Sequence, residues 1–260
     1  MRIIINGVEG VGKTTLGAYA PNPVIVMAPG ETGFLTLRQF GLVPDVPHVP
    51  ADNWQNLLNL LSSPDIAAFD SVVLDALGGF ERLCHEHVCL REFKGDWGER
   101  GFMAYQKGFD IAVADWLRLL RVLDDLAAAG KLVLLLSHVA VKNFRNPMGA
   151  DYDRYVSDCH SKTWGVTHRW ADAVLFYTFF SVIKERKGVG GTTRVLYCTR
   201  TDAYDAKNRF GLPDVIDVPE EPSKSFGTMW NAIQTRKEVQ HDDLLGNAGV
   251  VDNGTGPTAE

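Results

Sequence analysis

The sequence predicts an α/β fold in which a mostly parallel central sheet is flanked by helices. Short apolar segments alternate with helical patterns over the first half of the chain, which is the order that parallel strands and their crossover helices produce. Two later apolar segments are joined by a glycine-rich turn, which adds a late β-hairpin to the sheet. The chain shows no internal repeat and no heptad run that would favour a solenoid or a coiled coil.

The elements of the first half follow from local patterns. Apolar residues recur at spacings of three and four between Trp54 and Leu61, which is typical of a helix. Gly130 stands just past a long helical pattern and is a C-terminal stop signal. In chain order we expect a strand at 2–6, a helix at 13–19, a strand at 23–28, a helix at 54–61, a strand at 71–75, a helix at 102–129 and a strand at 131–137.

The second half of the chain has a different character. Residues 139–163 are polar and rich in turn formers, which predicts a loop. Strands are expected at 173–184 and 193–200, joined by the turn Lys187 to Gly191, and a last helix at 225–235. We therefore predict one domain over residues 1–236 and a disordered tail over 237–260, where polar and small residues predominate.

Composition sets limits on location and partners. No apolar run approaches ~18 residues, so we expect no membrane span, and the first residues lack the layout of a signal peptide. Four cysteines in 260 residues do not make a disulfide framework, which favours the reducing cytoplasm. The net charge of −6 gives no overall attraction to nucleic acid, so DNA binding would need a local basic patch or an oligomer.

A phosphate-binding motif lies between the first strand and the first helix. Gly7 to Thr14 matches G-x-x-x-x-G-K-[ST], the P-loop pattern, in which backbone N–H groups and a helix N-terminus surround the phosphates. Lys13 is expected to reach the β- and γ-phosphates of ATP, and the Thr14 hydroxyl to bind Mg²⁺. Asp75 ends a buried strand and is expected to hold Mg²⁺ through a water. The predicted nucleotide-binding residues are Gly7, Val8, Glu9, Gly10, Val11, Gly12, Lys13, Thr14 and Thr15.

Three further features narrow the class of P-loop protein. Glu31 lies just beyond the second strand, where a carboxylate can polarise a water, although an ordinary loop carboxylate fits the pattern too. His138 follows the strand at 131–137, on the rim where the phosphates are expected, or is a hydrogen-bonded rim histidine. A basic run, Ala206 to Pro213, comes late in the chain, and its Lys207 and Arg209 could instead sit on a solvated turn.

Taken together, these residues resemble the RecA-type core ATPases of phages, most of all the Sak-four group of single-strand annealing proteins. The resemblance spans residues 1 to about 218, and the Lys-Asn-Arg-Phe-Gly run is also similar to the signature of RadA recombination ATPases. The matching segments are the P-loop, Glu31 with Gly33 in "GETG", Asp75, "LLLSH" ending at His138, "DRYVSD" at 153–158 and "KNRFGLP" at 207–213.

This resemblance implies a RecA-like ATPase whose active site is shared between subunits of a ring or filament. Glu31 would activate water, and His138 would sense the γ-phosphate and couple it to the following DNA-binding loop. Lys207 and Arg209 would reach the neighbour's nucleotide. Ala28-Pro29-Gly30 separates the second strand from Glu31, which departs from the family pattern and leaves the register of that carboxylate open.

In the RecA arrangement the loop after His138 lines the path of single-stranded DNA, and basic residues interleaved with aromatic ones suit that ligand. A solvated loop has the same composition. A single-strand DNA-binding protein is a further expected partner, and a bacterial host cytoplasm the expected location if a phage encodes the chain. The predicted DNA-binding residues are Lys142, Phe144, Arg145, Arg154, Tyr155 and Lys162, with Lys184, Arg186 and Lys187 as a second basic cluster.

Other functions fit parts of the sequence. A nucleotide or small-molecule kinase uses the same P-loop but usually carries an arginine-rich lid in the same subunit. A nucleotide-dependent assembly switch would bind ATP and turn it over poorly. The cysteine and histidine residues at 84–89 suggest zinc, but on a helix Cys89 turns away from the face that Cys84 and His87 share. We therefore predict a Mg²⁺-dependent ATPase acting on single-stranded DNA, with no zinc site.

Overall fold

The computed structural model describes residues 1–184 and 187–247, with side chains for 1–180 and 191–236. The strands are β1 Arg2–Gly7, β2 Pro23–Met27, β3 His48–Pro50, β4 Ser71–Asp75, β5 Leu132–Phe144, β6 Tyr152–Ser157, β7 Ala173–Lys184, β8 Lys187–Tyr197, β9 Lys207–Asn208 and β10 Val215–Val218. The helices are α1 Lys13–Ala18, α2 Gly33–Gln39, α3 Trp54–Leu61, α4 Leu77–Phe93, α5 Lys107–Ala128, α6 Ser161–Trp170 and α7 Pro222–Asn247.

A single sheet organises the molecule, with the order β10-β8-β7-β1-β5-β4-β2-β3. Strands β3, β2, β4, β5, β1 and β7 are parallel, whereas β8 and β10 add an antiparallel edge. Strand β1 lies between β5 and β7, so the loop that follows it leaves the carboxyl edge near the middle of the sheet. Nucleotide sites of open parallel sheets lie at this edge. The predicted α/β fold, with a mostly parallel central sheet, flanking helices and a late β-hairpin, is confirmed.

The inner strands are apolar on both faces because helices cover both faces of the sheet. Ile4 of β1 faces a core that includes residues of α3, α4 and α5, and its neighbours Ile3 and Ile5 face a core that includes residues of α1 and α7. All three isoleucines are fully buried. Burial on both sides explains why these strands read as short continuous apolar runs rather than as alternating patterns.

Most predicted elements are confirmed within a few residues, including α3 and the strand that ends at Asp75. The late hairpin is formed by β7 and β8, but the glycine-rich turn predicted at 187–191 is wrong, because Gly188 to Gly190 belong to β8 and pair with β7. Helix α5 begins at Lys107 rather than at Phe102, which lies buried in the preceding turn. Gly130, at φ 88°, follows the end of α5 as predicted. Helix α7 continues to Asn247, beyond the point where the disordered tail was expected, and the rest of that tail lies outside the described residues.

The prediction of a loop over 139–163 is wrong. Strand β5 continues to Phe144 and pairs with β6 in an antiparallel hairpin, and α6 begins at Ser161. Turn formers between Asn146 and Gly149 mark only the tip of this hairpin, whereas the polar residues on either side belong to strands that leave the core. Exposed strands lack the apolar run that identifies a buried one. None of the described helices has the length and apolar character needed to cross a membrane.

Candidate active site

The P-loop joins β1 to α1 at the carboxyl edge of the sheet. Gly10 and Gly12 have φ values of 71° and 103°, a left-handed backbone that favours glycine, so the motif's glycines are required by the turn itself. The Lys13 ammonium is buried and donates to the carbonyl oxygens of Gly7 and Val8 at 2.8 and 3.0 Å. Burial lowers the pKa of Lys13. The lysine therefore lies inside its own loop, where phosphate oxygens can replace the two carbonyls.

Thr14 and Asp75 form the oxygen pair that the sequence predicted for Mg²⁺. The Thr14 hydroxyl donates to Asp75 Oδ2 at 2.7 Å, although the two residues are far apart in sequence. Burial raises the pKa of the Asp75 carboxyl, and the hydrogen bond from Thr14 opposes that shift. A hydroxyl and a carboxylate held side by side are hard oxygen donors, so the residues present fit Mg²⁺.

Glu31 and His138 meet beside the P-loop. The backbone N–H of Glu31 donates to Ala28 O at 3.1 Å, and Ala28 N–H donates to Asp75 O at 2.7 Å, which holds the turn after β2 against the end of β4. His138 pairs in register with Gly7. Its Nε2 lies 3.5 Å from Glu31 Oε1, and its Nδ1 lies 3.3 Å from Lys13 Nζ.

These contacts define the electrostatics of the pair. The Lys13 ammonium has only protons to donate, so Nδ1 of His138 accepts and the neutral ring carries its proton on Nε2, toward Glu31. Contact with Glu31 raises the pKa of His138, against the opposing effects of burial and of Lys13. Contact with His138 in turn lowers the pKa of the Glu31 carboxyl. Glu31 is therefore ionised and oriented at neutral pH.

Asp158 is a third acidic group at this edge, and the sequence reasoning gave it no role. Its backbone N–H donates to His138 O at 3.1 Å, and a Cβ on Gly78 would lie only 2.8 Å from Asp158 Oδ2. Its charge acts on both Lys13 and His138. The motif "DRYVSD" contains Asp158, but nothing local distinguishes this carboxylate from Asp153, which is exposed on β6.

A pocket next to the P-loop was also missed. It adjoins Gly12 and Thr15 on one side and is closed by the segment between β10 and α7 on the other. Arg194 of β8 donates from Nε to Val11 O at 2.9 Å, which ties this strand to the P-loop. The lining residues are Val11, Gly12, Thr15, Tyr177, Arg194, Pro219, Glu220, Pro222 and Ser225. These residues are far apart in the sequence, so no local pattern predicts the pocket.

Lys207 and Arg209, the two basic residues of the run at 206–213, differ in their surroundings. Lys207 donates to the carbonyl oxygens of His168, Arg169 and Ala171 at 2.9, 2.9 and 2.5 Å, so its ammonium closes the C-terminal end of α6. The prediction that Lys207 reaches a neighbour's nucleotide does not fit this arrangement, because the ammonium is already bound within its own chain. Arg209 is exposed, on a turn that Asn208 closes by accepting from Phe210 N and Leu212 N at 3.1 Å each.

The predicted DNA-binding residues differ in their exposure and in their partners within the chain. Lys142, Phe144, Arg145 and Tyr155 are exposed on or beside the β5–β6 hairpin, which begins directly after His138. Arg154 is an exception because it is buried, with Nη2 donating to Asp205 Oδ1 at 3.2 Å and to Tyr204 O at 3.3 Å. Its predicted DNA contact is therefore corrected to a structural one. Lys162 lies in an ion pair with Asp110 at 2.5 Å.

The remaining residues that the sequence analysis singled out are the cysteines and histidines at 84–89 and the second basic cluster. Cys84 is buried and donates from Sγ to Ala112 O at 3.5 Å, and burial raises the pKa of its thiol. The part of the chain that the structure describes contains no group of three or more His, Cys, Asp or Glu placed to hold a metal ion. Arg186 lies outside the described residues, and the side chains of Lys184 and Lys187 are likewise outside them.

A P-loop at the carboxyl edge of a mostly parallel sheet, with a Thr–Asp pair and an adjacent carboxylate, defines this chain as a P-loop nucleotide-binding protein. The chain belongs to the AAA_24 family, described as an AAA domain, whose model matches residues 1–210. A search of curated proteins gave no match.

Two solved structures are similar in fold. The flagellar accessory protein FlaH from Methanocaldococcus jannaschii is 11% identical, with 83% of each chain covered and a TM-score of 0.46. A KaiC-like protein from Pyrococcus horikoshii OT3 is 14% identical, with 85% of this chain and 86% of that chain covered and a TM-score of 0.41. At these identities and TM-scores neither likeness bears on activity.

Proposed function

We propose that this protein hydrolyses ATP to ADP and phosphate and that the reaction serves its assembly on single-stranded DNA, for annealing or strand exchange. The observation that carries the hydrolysis proposal is the convergence of Lys13, the Thr14–Asp75 pair and the Glu31–His138 pair at one edge of the sheet. Binding, charge neutralisation and water activation each have a residue there. A P-loop without an adjacent carboxylate would support binding alone.

The residues suggest an order of events. When phosphates enter, Lys13 exchanges the carbonyls of Gly7 and Val8 for phosphate oxygens. This movement takes the ammonium away from His138 Nδ1, which further favours protonation of the ring. Glu31, ionised at neutral pH, then accepts a hydrogen bond from the attacking water and orients it. Mg²⁺ held at Thr14 and Asp75 would neutralise developing phosphate charge.

The active site is proposed to be shared between subunits, with Arg209 as the residue supplied by a neighbour. In this chain Arg209 is exposed on the turn that Asn208 closes. This turn lies away from the P-loop, on the far side of β7 from β1. An arginine supplied by a second subunit stabilises transition-state charge in many P-loop enzymes. This role requires a ring or filament.

Single-stranded DNA is proposed to bind along the β5–β6 hairpin. Lys142 and Arg145 can neutralise phosphates, while Phe144 and Tyr155 offer aromatic faces for bases. His138 stands at the base of the same strand, so a change at the γ-phosphate is transmitted directly to the hairpin. Because the net charge of the chain is −6, DNA binding would depend on these local cations.

Steady-state ATP hydrolysis with Mg²⁺, measured with and without single-stranded DNA at two salt concentrations, tests the proposal. We expect hydrolysis that DNA stimulates and that loses its stimulation at the higher salt, because phosphate contacts weaken as counterions accumulate. Lys13→Ala is the control and should abolish ATP binding and hydrolysis. Tight ATP binding without stimulation would contradict the DNA role and point to a phosphoryl acceptor or a protein partner.

A further inference from the structure

The pocket between the P-loop and the segment that joins β10 to α7 has no part in the proposed hydrolysis. We call it the P-loop pocket. Arg194 is the one cation among the described residues that line it. In the sheet, β7 and β8 lie on one side of β1, whereas β5, β4 and β2 lie on the other. The P-loop pocket, beside Tyr177 and Arg194, is therefore on the opposite side of the P-loop from Glu31 and His138.

Arg194 is held against the P-loop by contacts that leave most of its donors unused. Its Nε donates to Val11 O at 2.9 Å and lies 3.9 Å from the position that a Cβ on Gly12 would take. Its guanidinium carbon lies 5.5 Å from the centre of the Phe179 ring, on the facing strand. Within the part of the chain whose side chains are described, Nη1 and Nη2 have no hydrogen-bond acceptor. The guanidinium is thus oriented, and its terminal N–H groups remain available to a ligand.

The charge of Arg194 also lacks a counter-ion among the side chains that the structure describes. Glu220 lines the same pocket, but its Oε1 accepts from the Thr192 hydroxyl at 3.0 Å, and no described carboxylate forms an ion pair with Arg194. Arg194 is half-buried. A guanidinium that is partly withdrawn from water binds an anion strongly, because water competes less for its donors. The side chain therefore fits a phosphate.

The order of the phosphates along a P-loop decides which one Arg194 meets. The N–H groups of the loop surround the α- and β-phosphates, the lysine reaches the β- and γ-phosphates, and the Mg²⁺ ligand follows the lysine. Lys13 Nζ lies 3.3 Å from His138 Nδ1, so the γ-phosphate belongs on the side of Glu31 and His138. The α-phosphate then lies at the other end of the loop, toward Gly12 and the P-loop pocket.

We propose that Arg194 contacts the α-phosphate of the nucleotide from within the same subunit. This inference rests on the proposed ATPase function and assigns a nucleotide-binding residue outside the P-loop motif. Because ADP keeps its α-phosphate, Arg194 holds substrate and product alike. Arg209 of a neighbouring subunit has a different task in the proposed mechanism, since it stabilises charge that develops only during cleavage of the γ-phosphate.

Binding of ADP to the full chain in the presence of Mg²⁺, followed by isothermal titration calorimetry, tests the contact. Arg194→Ala should weaken binding about 10- to 100-fold, the usual effect of removing a hydrogen bond to a charged group. Arg194→Lys should recover part of this loss because it keeps the charge. The loss should appear in KM for ATP more than in kcat. Arg200→Ala is the matched control and should bind ADP normally, because Arg200 is an exposed arginine beyond the end of β8.

A second measurement separates this contact from a purely structural role in holding Val11. The two diastereomers of ADPαS carry sulfur at one or the other non-bridging α-oxygen, so a residue that touches one of these oxygens favours one isomer. We expect the unsubstituted chain to prefer one isomer and Arg194→Ala to lose most of that preference at the same Mg²⁺ concentration. Arg200→Ala should keep it. Loss of a structural contact alone would weaken both isomers equally.

The outcomes separate this inference from the proposed function. Failure of the unsubstituted chain to bind ADP and ATP overturns the ATPase function and the role of Arg194 together. ADP affinity that Arg194→Ala leaves intact, or an isomer preference that it retains, overturns the role of Arg194 alone. Equal weakening by Arg200→Ala would show a general effect of charge and also contradict it. If urea unfolding shows that Arg194→Ala does not fold, Arg194→Lys, which lacks the fork of a guanidinium, replaces it in the comparison of the isomers.

Discussion

At the scale of single residues, the contact between Glu31 and His138 decides how the candidate site can work. Each residue changes the other's pKa: that of His138 is raised by Glu31, and that of Glu31 is lowered by His138. Because the pKa of His138 is raised, the histidine's contribution to the ion pair is fully present below its ordinary value of 6.5 and is lost as pH rises through the higher pKa of folded His138. Because the pKa of Glu31 is lowered, the carboxylate stays ionised down to its ordinary value of 4.5, and the pair is lost only as pH falls below that value.

Glu31→Gln is the substitution that tests this contact. We expect hydrolysis to fall by about 100-fold or more, because the water loses its anionic partner, while ATP affinity stays unchanged. The pKa of His138, followed by NMR, should fall because its largest raising influence has gone. Glu86→Gln, which changes an exposed carboxylate on α4, should alter neither value. An unchanged His138 pKa in Glu31→Gln would argue against the contact.

At the scale of elements, the two basic residues around β9 show how little sequence proximity says about role. Lys207 closes the end of α6 through three carbonyl oxygens, so it joins the late basic run to a helix that precedes β7. Arg209, two positions later, is exposed, and its backbone N–H donates to Asp172 O at 3.2 Å. One residue holds elements together and the other is available to a second molecule.

Substituting the two residues separately should therefore affect different properties, stability for Lys207 and hydrolysis for Arg209. Lys207→Met should lower the free energy of unfolding by about 1–3 kcal/mol, because the carbonyl oxygens at the end of α6 lose their donor. Arg209→Ala should change it by less than about 0.5 kcal/mol, as expected for an exposed side chain, but should slow ATP hydrolysis. Urea unfolding and steady-state hydrolysis of both variants provide the measurements. A Lys207→Met variant that is as stable as the unsubstituted chain but hydrolyses ATP slowly would contradict the structural role of Lys207.

At the scale of the whole molecule, the sheet separates the edge that carries the P-loop from the turn that carries Arg209. The P-loop, Asp75 and His138 lie at the carboxyl edge of the parallel part of the sheet, and Glu31 reaches them from the turn after β2. Arg209 follows β9, which pairs with the beginning of β7 rather than with its carboxyl end. On the proposed mechanism, a single subunit would bind the nucleotide and the attacking water but present its arginine elsewhere.

Mixing inactive subunits tests whether the site is shared. A Lys13→Ala subunit keeps its arginine, and an Arg209→Ala subunit keeps its P-loop, so a mixed assembly contains some complete sites. We expect the mixture to hydrolyse ATP faster than either variant alone. Lys13→Ala mixed with Glu31→Gln is the control and should show no recovery, because both changes affect the same half of the site. Equal rates in both mixtures would contradict a shared site.

The sequence by itself determined the α/β class, the P-loop and the order of the buried strands. These features are local: a strand buried on both faces needs an apolar run, and a phosphate-binding turn needs glycines at set spacings. It also placed Glu31 and His138 near the phosphates, but not against each other.

Only the tertiary structure decided the partner of each side chain. It placed His138 between Lys13 and Glu31, set the Lys207 ammonium against the carbonyl oxygens at the end of α6, and buried Arg154 against Asp205. The P-loop pocket likewise joins Gly12 to Arg194 from the other end of the chain. These relations depend on the register of neighbouring strands and on helix packing, and no local pattern encodes a contact between residues that chain folding alone brings together.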